Sequence, residues 1–505
     1  MNHLSGKSLI ISGFFLVLLF GALLNIGAFH LIDKRPLGPH QWAQCDRASV
    51  AYNFYNGGMD FFHPRVHNRS NGTGITGMEF PILNYTAAIA YKIFGYHEYL
   101  YRLLVGLIVI VGFIYSYRIS GMFIQNPAMQ ILCSLLFVFS PVLVFYTFNF
   151  VPDIASMGLG MISWYYFLLF MKTGENRQSR YFLTILLFAT LIKITSLIIL
   201  ANWIFLWWFS KKDKLKNNLS SISFKKVTVG SVIILLPVFA WYSYASWLNT
   251  EYKSGFFLLE PKPLHSISEF FQTVRLAWKA HGYEYYPGTV YAFLSLGLAG
   301  VIINFKKINK TLFRIVVVQA MMFFLFFLVM GPQFIHHDYY IITFLPIVFF
   351  SLILIVSWME KILPAKRAIS ISFIALLTLA ANYSMIQSKK EVHSRYTPYS
   401  WQYGNELMDN YFHLEPVLRK AGILKDDLVM SFDEVSPNIT LYLMNQPGIT
   451  LVRGDSLILK RPIASKLKYA ILNDTIPDHI AFLKPFIGKY LFSDNGISVY
   501  TWEKK

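Results

Sequence analysis

Apolar residues along this chain fall into long blocks rather than alternating with polar ones. The first covers residues 9–28, and others follow at about 103–122, 128–148, 154–171, 181–210, 227–248, 287–304, 312–331, 339–358 and 368–387. A helix needs about 20 apolar residues to cross the hydrocarbon core of a bilayer, so each block predicts a membrane span. The block at 181–210 is interrupted by Lys193, and its length suits two short spans better than one tilted helix. That makes about eleven spans by this length criterion. The first block has no small-residue cleavage site and reads as a retained span rather than a signal peptide.

Beyond residue 387 the blocks stop. The tail alternates β-rich runs ("DLVMSF", "KYAIL", "KYLFSD", "GISVYTW") with helical ones ("SPNITLYLM", "PDHIAFLKPF"). Strands alternating with helices predict a small α/β domain with a mainly parallel sheet. The predicted architecture is a polytopic α-helical membrane domain over 1–387, with outer loops at 30–100 and 249–286. An α/β extracytoplasmic domain over 388–505 follows.

Composition agrees with a membrane chain. The sequence is 55% hydrophobic and only 14% charged, against about a quarter charged in soluble domains. The net charge of +18 raises a nucleic-acid reading, but the basic residues gather in short stretches between apolar blocks. Lys172, Arg177 and Arg180 form one stretch, and "KKDKLK" at 211–216 with Lys225 and Lys226 another. Lys306, Lys307, Lys310 and Arg314 form a third, and Lys361, Lys366 and Arg367 the last. Dense basic short loops mark the cytoplasmic side of a membrane protein, and counting spans from them puts the N-terminus inside and the tail outside. The distribution therefore argues against nucleic acid. Cys45 and Cys133 are too far apart in sequence to suggest a metal or disulfide framework.

The predicted outer loops hold isolated acids. In "GPHQWAQCDRASVAYNFYNGGMDFFHPR", Pro39 opens a helix and Gly57 and Gly58 close it. Asp46, Ser49, Val50 and Asn53 share one helical face. Arg47, Ala51 and Phe54 form another that could lie on the bilayer surface. Asp46 is either a solvated residue of this helix or a functional carboxylate. Glu79 sits between Met78 and Phe80, where an acid is costly unless paired, protonated or bound to a cation. An ion pair with Arg65 or Arg102 is its plain explanation. Asp153 opens the fourth span and reads as a helix cap or as a third functional acid. His281 and Glu284 lie in the second long loop. "GPQFIHHDYY" brings His336, His337, Asp338, Tyr339 and Tyr340 into one turn, suited to phosphate, proton transfer or metal, or simply to interfacial anchoring. Lys193, a cation at membrane depth, either meets a lipid phosphate or snorkels. Carboxylates and an imidazole could hold a divalent cation, though no local spacing specifies one.

"HQWAQCDRASVAYNFYNGGMDFFHPR" followed by "GMEFPILNYTAAIAYKIFGYHEYLYRLL" resembles the first outer loop of family-39 glycosyltransferases. These share the C-type membrane fold of protein O-mannosyltransferases and lipid A aminoarabinose transferases. "VPDIASMGLGMISWYYFL", "TLIKITSLIIL" and "HDYYIITFLPIV" resemble further segments of that family, in order, over about residues 8–387. The resemblance implies that Asp46 is the general base, that Glu79 serves metal or donor binding, and that Asp153 is the acid opening the fourth span. It also implies a divalent metal of unspecified identity held by Glu79, Asp153 and His281. Relatives of the aminoarabinose type carry Glu-Lys-Pro-Pro where this chain has "EFPI" at 79–82, so the donor-phosphate contact must come from elsewhere. Arg65, Lys193, His336, His337 and Tyr340 are the candidates.

The implied reaction moves a sugar from a polyprenyl-phosphate donor to a lipid, glycan or protein acceptor at the outer face of a bacterial inner (plasma) membrane, with inversion at the anomeric carbon. A transporter or flippase of lipid-linked glycans would place its polar groups near the midplane in repeated broken helices, and no repeat is evident. A polymerase or ligase using a diphosphate-linked donor differs from the first reading only in its donor. A scaffold gives no reason for three outer acids.

Overall fold

Each apolar block is helical in the computed structural model, which describes residues 6–212, 222–257, 261–362, 367–397, 408–434, 436–452, 462–473 and 478–503. Residues 213–216 and Lys366, in two of the basic stretches, lie outside the described residues. In chain order the first helices are α1 (Gly6–Ile26), α2 (Gln41–Asn56), α3 (Ile82–Phe94), α4 (Glu98–Ser120), α5 (Pro127–Val138) and α6 (Pro141–Tyr146). They are followed by α7 (Pro152–Thr173), α8 (Asn176–Ile192), α9 (Leu197–Lys212), α10 (Phe224–Glu251), α11 (Ile267–Tyr285) and α12 (Gly288–Ile303). Then come α13 (Lys310–Met330), α14 (Pro346–Ile362) and α15 (Arg367–Ser394), and in the tail α16 (Leu414–Lys420) and α17 (Ile439–Leu443).

Among the described residues six helical segments are singly long and apolar enough to cross a membrane, and eight are if each bent pair counts as one span. Block boundaries follow local chemistry. Proline stands in the first turn of α5, α6 and α7, where its missing N–H costs nothing. Pro141 thereby splits the block at 128–148 into α5 and α6. The block at 181–210 breaks at Lys193, which is extended (φ −150°, ψ 114°), between α8 and α9.

The chain divides into two units. The first comprises Met1–Ile32, Leu103–Trp241 and Glu260–Ser394. Within it α4 and α7 meet backbone to backbone: a Cβ added at Gly112 would lie 2.6 Å from the Gly158 Cα. Small residues at such crossings allow the close packing that holds membrane helices together. Gly174, in the left-handed region at φ 75°, ends α7 and donates its N–H to the Phe170 carbonyl at 2.8 Å.

The second unit comprises Asp33–Arg102, Tyr242–Leu259 and Arg395–Lys505. It holds α2, α3 and a five-stranded sheet of β1 (Val429–Glu434), β2 (Gly448–Val452), β3 (Tyr469–Asn473), β4 (Ile487–Asp494) and β5 (Ile497–Trp502), in the order β2-β1-β3-β5-β4. β1 runs parallel to β2 and β3, while β5 is antiparallel to β3 and β4. The sheet is therefore mixed rather than mainly parallel. The reason is the two-residue turn Asn495–Gly496, with φ of 46° and 77°, which makes β4 and β5 a hairpin instead of a crossover pair. Met430, Phe432, Ile449, Leu451 and Leu472 are in its core.

α2 departs from expectation. A helix lying on a bilayer would expose one face, yet Arg47, Ala51 and Phe54 are 5%, 0% and 2% exposed. Phe54 packs with Val50, Val66, Met78, Ala88 and Phe257. Flanking loop and α3 cover the face that the sequence alone left open, so α2 is an interior helix of its unit.

Candidate active site

Asp46 lies in the second turn of α2 and is 2% exposed. The solvated alternative is thereby removed. Asn438 Nδ2 donates to its Oδ1 at 3.1 Å. Burial pushes the carboxyl up to about 7, against the opposing pull of the adjacent Arg47 charge and of the Asn438 hydrogen bond. A carboxylate tuned near neutrality can take a proton in one step of a reaction and lose it in the next.

Glu79 is paired, but with neither Arg65 nor Arg102. Arg47 Nη2 lies 3.2 Å from Glu79 Oε1, and both side chains are about one-tenth exposed or less. Arg47 also donates to the Ala43 carbonyl at 3.1 Å and places its guanidinium 5.3 Å from the Phe257 ring centroid. Arg102 is occupied by the Lys34 and Arg35 carbonyls. Arg65, half-buried, forms an antiparallel bridge with Ile75. The α2 position next to Asp46 thus supplies the cation that Glu79 requires.

His67, in the loop after α2, is buried against Ser49 of that helix and was not singled out by sequence reasoning. Its backbone N–H donates to Ser49 Oγ at 2.8 Å, and its Nδ1 lies 2.7 Å from that same hydroxyl. Ser49 therefore donates to Nδ1, and Nε2–H donates to Asn445 Oδ1 at 3.2 Å. Burial, reinforced by Arg69, lowers the imidazole to about 3, so it stays neutral at physiological pH.

The first unit gathers four of the remaining candidates. Asp153, 1% exposed, is not the cap of α7, because Val151 takes that position. Its Oδ1 lies 3.2 Å from Lys193 Nζ, which answers the question of what the lysine does at that depth. Lys193 Nζ is also 5.4 Å from the Tyr340 ring centroid, and the His337 ring stacks obliquely at 4.9 Å from that tyrosine. Hydroxyl pairs Thr343–Thr195 at 2.8 Å and Ser156–Ser196 at 2.7 Å surround the break after Lys193. The two histidines of the turn part: His336 is exposed, while His337 joins the cluster. Asp338, between them and the tyrosines, accepts from Tyr146 Oη at 2.7 Å.

His281 reaches the same turn from α11, where the Asp338 charge also acts on it. Its Nδ1 lies 3.2 Å from Glu284 Oε2 and its Nε2 3.1 Å from the Ile335 carbonyl. Among the described residues no group of three or more His, Cys, Asp or Glu side chains could hold a metal ion. The three expected ligands do not fit one: Glu79 faces a guanidinium and Asp153 an ammonium, while His281 pairs with Glu284. A divalent cation would be repelled by the first two partners.

Asn438 was the other omission. In "SPNIT" it reads only as a chance glycosylation sequon, and only the folded chain brings it to Asp46.

No family model and no curated relative matches the chain. Among solved structures it is similar to ArnT from Cupriavidus metallidurans. In the apo state the identity is 13% and the TM-score 0.61, covering 96% of this chain and 97% of that one. In the form bound to undecaprenyl phosphate the values are 14% and 0.62, covering 97% and 98%. It is also similar to the archaeal oligosaccharyltransferase AglB from Archaeoglobus fulgidus in complex with an inhibitory peptide and a dolichol-phosphate. There the identity is 13% and the TM-score 0.53, over 97% of this chain and 74% of that one. The chain has the C-type fold that the sequence resemblance implied, and it is an integral membrane protein.

Proposed function

We propose that this protein is a glycosyltransferase that moves a sugar from a polyprenyl-phosphate donor to an acceptor hydroxyl, with Asp46 as general base. The observation that carries the proposal is the buried Asp46 carboxyl poised near neutrality in a chain of this fold. The bound undecaprenyl phosphate of ArnT and dolichol-phosphate of AglB support a lipid-phosphate donor.

The acceptor oxygen attacks the anomeric carbon while its proton passes to the Asp46 carboxylate. The bond from that carbon to the carrier phosphate breaks, and the phosphate leaves with the electron pair. No second carboxylate acts as nucleophile, so the configuration inverts. The departing phosphate gains negative charge and calls for a cation; Lys193, beside Tyr340 and His337 in the first unit, is one candidate for that role. Asp153 keeps that ammonium in place. Arg65 and His336 remain secondary candidates for phosphate, the second because it is exposed at its turn. Glu79 acts through Arg47, holding the cation beside the base. The basic short loops support a cytoplasmic N-terminus and an extracytoplasmic tail, in the inner (plasma) membrane if the host is bacterial.

The test incubates purified protein with a panel of polyprenyl-phosphate sugars and measures released carrier phosphate, with Asp46→Asn alongside. Turnover with a monophosphate donor that disappears in Asp46→Asn is the expected result. Turnover confined to diphosphate-linked donors moves the chain to the polymerase or ligase reading. Wild-type turnover by a folded Asp46→Asn variant removes Asp46 as the base.

A further inference from the structure

We infer that Asn438, supplied by the tail of the chain, is a positioning residue that orients the Asp46 carboxylate and holds it ionisable; this rests on the reading of Asp46 as base. Asn438 occupies the cap position ahead of α17, where an asparagine ordinarily accepts from the helix's own first N–H groups. Here its side chain makes no capping bond, although it is fully buried. Both ends of the amide are used elsewhere. Oδ1 accepts from the Asn68 backbone N–H at 3.0 Å, and Nδ2 donates to Asp46 Oδ1 at 3.1 Å.

That pairing removes the usual ambiguity of an amide. A backbone N–H can only donate, so the atom facing Asn68 must be the oxygen, and the NH2 group is left to face Asp46. The donor of the Asn438 bond is in turn seated by the sheet. Gly448 of the edge strand β2 donates to the His67 carbonyl at 3.2 Å and accepts from Arg69 N–H at 2.6 Å, an isolated parallel bridge at the sheet edge. Asn68 Nδ2 donates to the Pro437 carbonyl and to Thr450 Oγ1. A Cβ at Gly448 would fall 2.1 Å from the Val429 carbonyl oxygen, so no other residue keeps this register. The tail thus does more than cover the outer loop. Through a residue 392 positions away it supplies the hydrogen bond that favours the charged form of Asp46 and opposes its burial.

The experiment measures kcat/KM against pH for wild type, Asn438→Ala and Thr450→Val, with Asp46→Asn in parallel. Loss of a hydrogen bond to a charged group corresponds to about one pH unit, so the acid limb of Asn438→Ala should move upward by about that much. Below the limb its rate should fall roughly tenfold, and well above the limb it should return toward wild type. Thr450→Val, which removes the bonds to Asn68 and to the Pro437 carbonyl but keeps the Asn438 amide, should lower Tm and move the limb by clearly less than Asn438→Ala does. If Asn438→Ala does not fold, Asn438→Leu fills a similar volume and makes the same prediction. A folded Asn438 variant with lower activity at every pH and an unmoved limb overturns the inference, leaving Asp46 as base if Asp46→Asn is inactive. An active Asp46→Asn overturns the base reading itself, whatever the limb does.

Discussion

Replacing Asp46 by asparagine separates two consequences of burying a carboxylate. In the unfolded chain this group titrates near 3.8, and in the folded protein burial raises it to about 7. Between those values the folded protein keeps a proton that the unfolded chain releases. Stability contributed by the protonated carboxyl is complete below about pH 4, declines as pH rises through about 7, and stays lost above that. Roughly three pH units at about 1.4 kcal/mol each put the penalty on the order of 4 kcal/mol at pH 8.5, and at less than half of that at pH 5. The asparagine side chain cannot ionise, yet its carbonyl oxygen can still accept from Asn438. Asp46→Asn should therefore be inactive in transfer and more stable than wild type at pH 8.5, with a clearly smaller advantage at pH 5. Thermal unfolding in one detergent at the two pH values, with a transfer assay on the same preparations, measures both. A variant no more stable than wild type at pH 8.5 refutes the reasoning, because Arg47 and Asn438 would then fully offset desolvation.

Four further outcomes are expected. Lys193→Met deprives the buried Asp153 of its ammonium and should cost about 3–5 kcal/mol in unfolding experiments. It should also weaken polyprenyl-phosphate binding at least about tenfold, the loss of one charged hydrogen bond; unchanged binding excludes Lys193 as a phosphate holder. Arg47→Met should destabilise by a similar ~3–5 kcal/mol, and adding Glu79→Gln should recover part of the loss, a coupling that a double-mutant cycle on Tm or denaturant midpoint reads directly. Gly112→Ala puts a Cβ 2.6 Å from the Gly158 Cα and should cost about 1–3 kcal/mol, seen as a lower Tm with an unchanged acid limb. Chelation with EDTA should leave transfer within about twofold of untreated protein, a change below one hydrogen bond's worth, and recovery of a lost rate by added Mn2+ or Mg2+ would reveal ligands that these residues do not assemble.

How legible each feature was depended on the range of the interaction behind it. The apolar blocks marked the long helices, and Lys193 marked the break between α8 and α9, because the bilayer acts on each stretch of some twenty residues independently. Only six to eight of the about eleven expected spans, however, are long and apolar enough to cross a membrane among the described residues. Proline at the start of α5, α6 and α7 set those helix ends by the same local rule. The turn at Asn495–Gly496 was equally local, and its left-handed pair was readable as a hairpin that breaks the parallel pattern. β2 was not readable, since a five-residue run becomes a strand only where β1 accepts it. Asp46, Glu79 and Asp153 were conspicuous because an acid in apolar company is costly wherever the chain folds.

What discharges that cost belongs to tertiary structure. Arg47 rather than Arg65 or Arg102 meets Glu79, since helix α2 turns its arginine inward when loop and α3 cover that face. Lys193 and Asp153 are forty residues apart in sequence and 3.2 Å apart in the folded unit. Asn438 reaches Asp46 across 392 residues, through a sheet edge that no local pattern announces. Hydrophobicity is summed along the chain and can be read from it. A hydrogen bond requires two particular atoms within about 3 Å, and only the packed backbone decides which atoms those are.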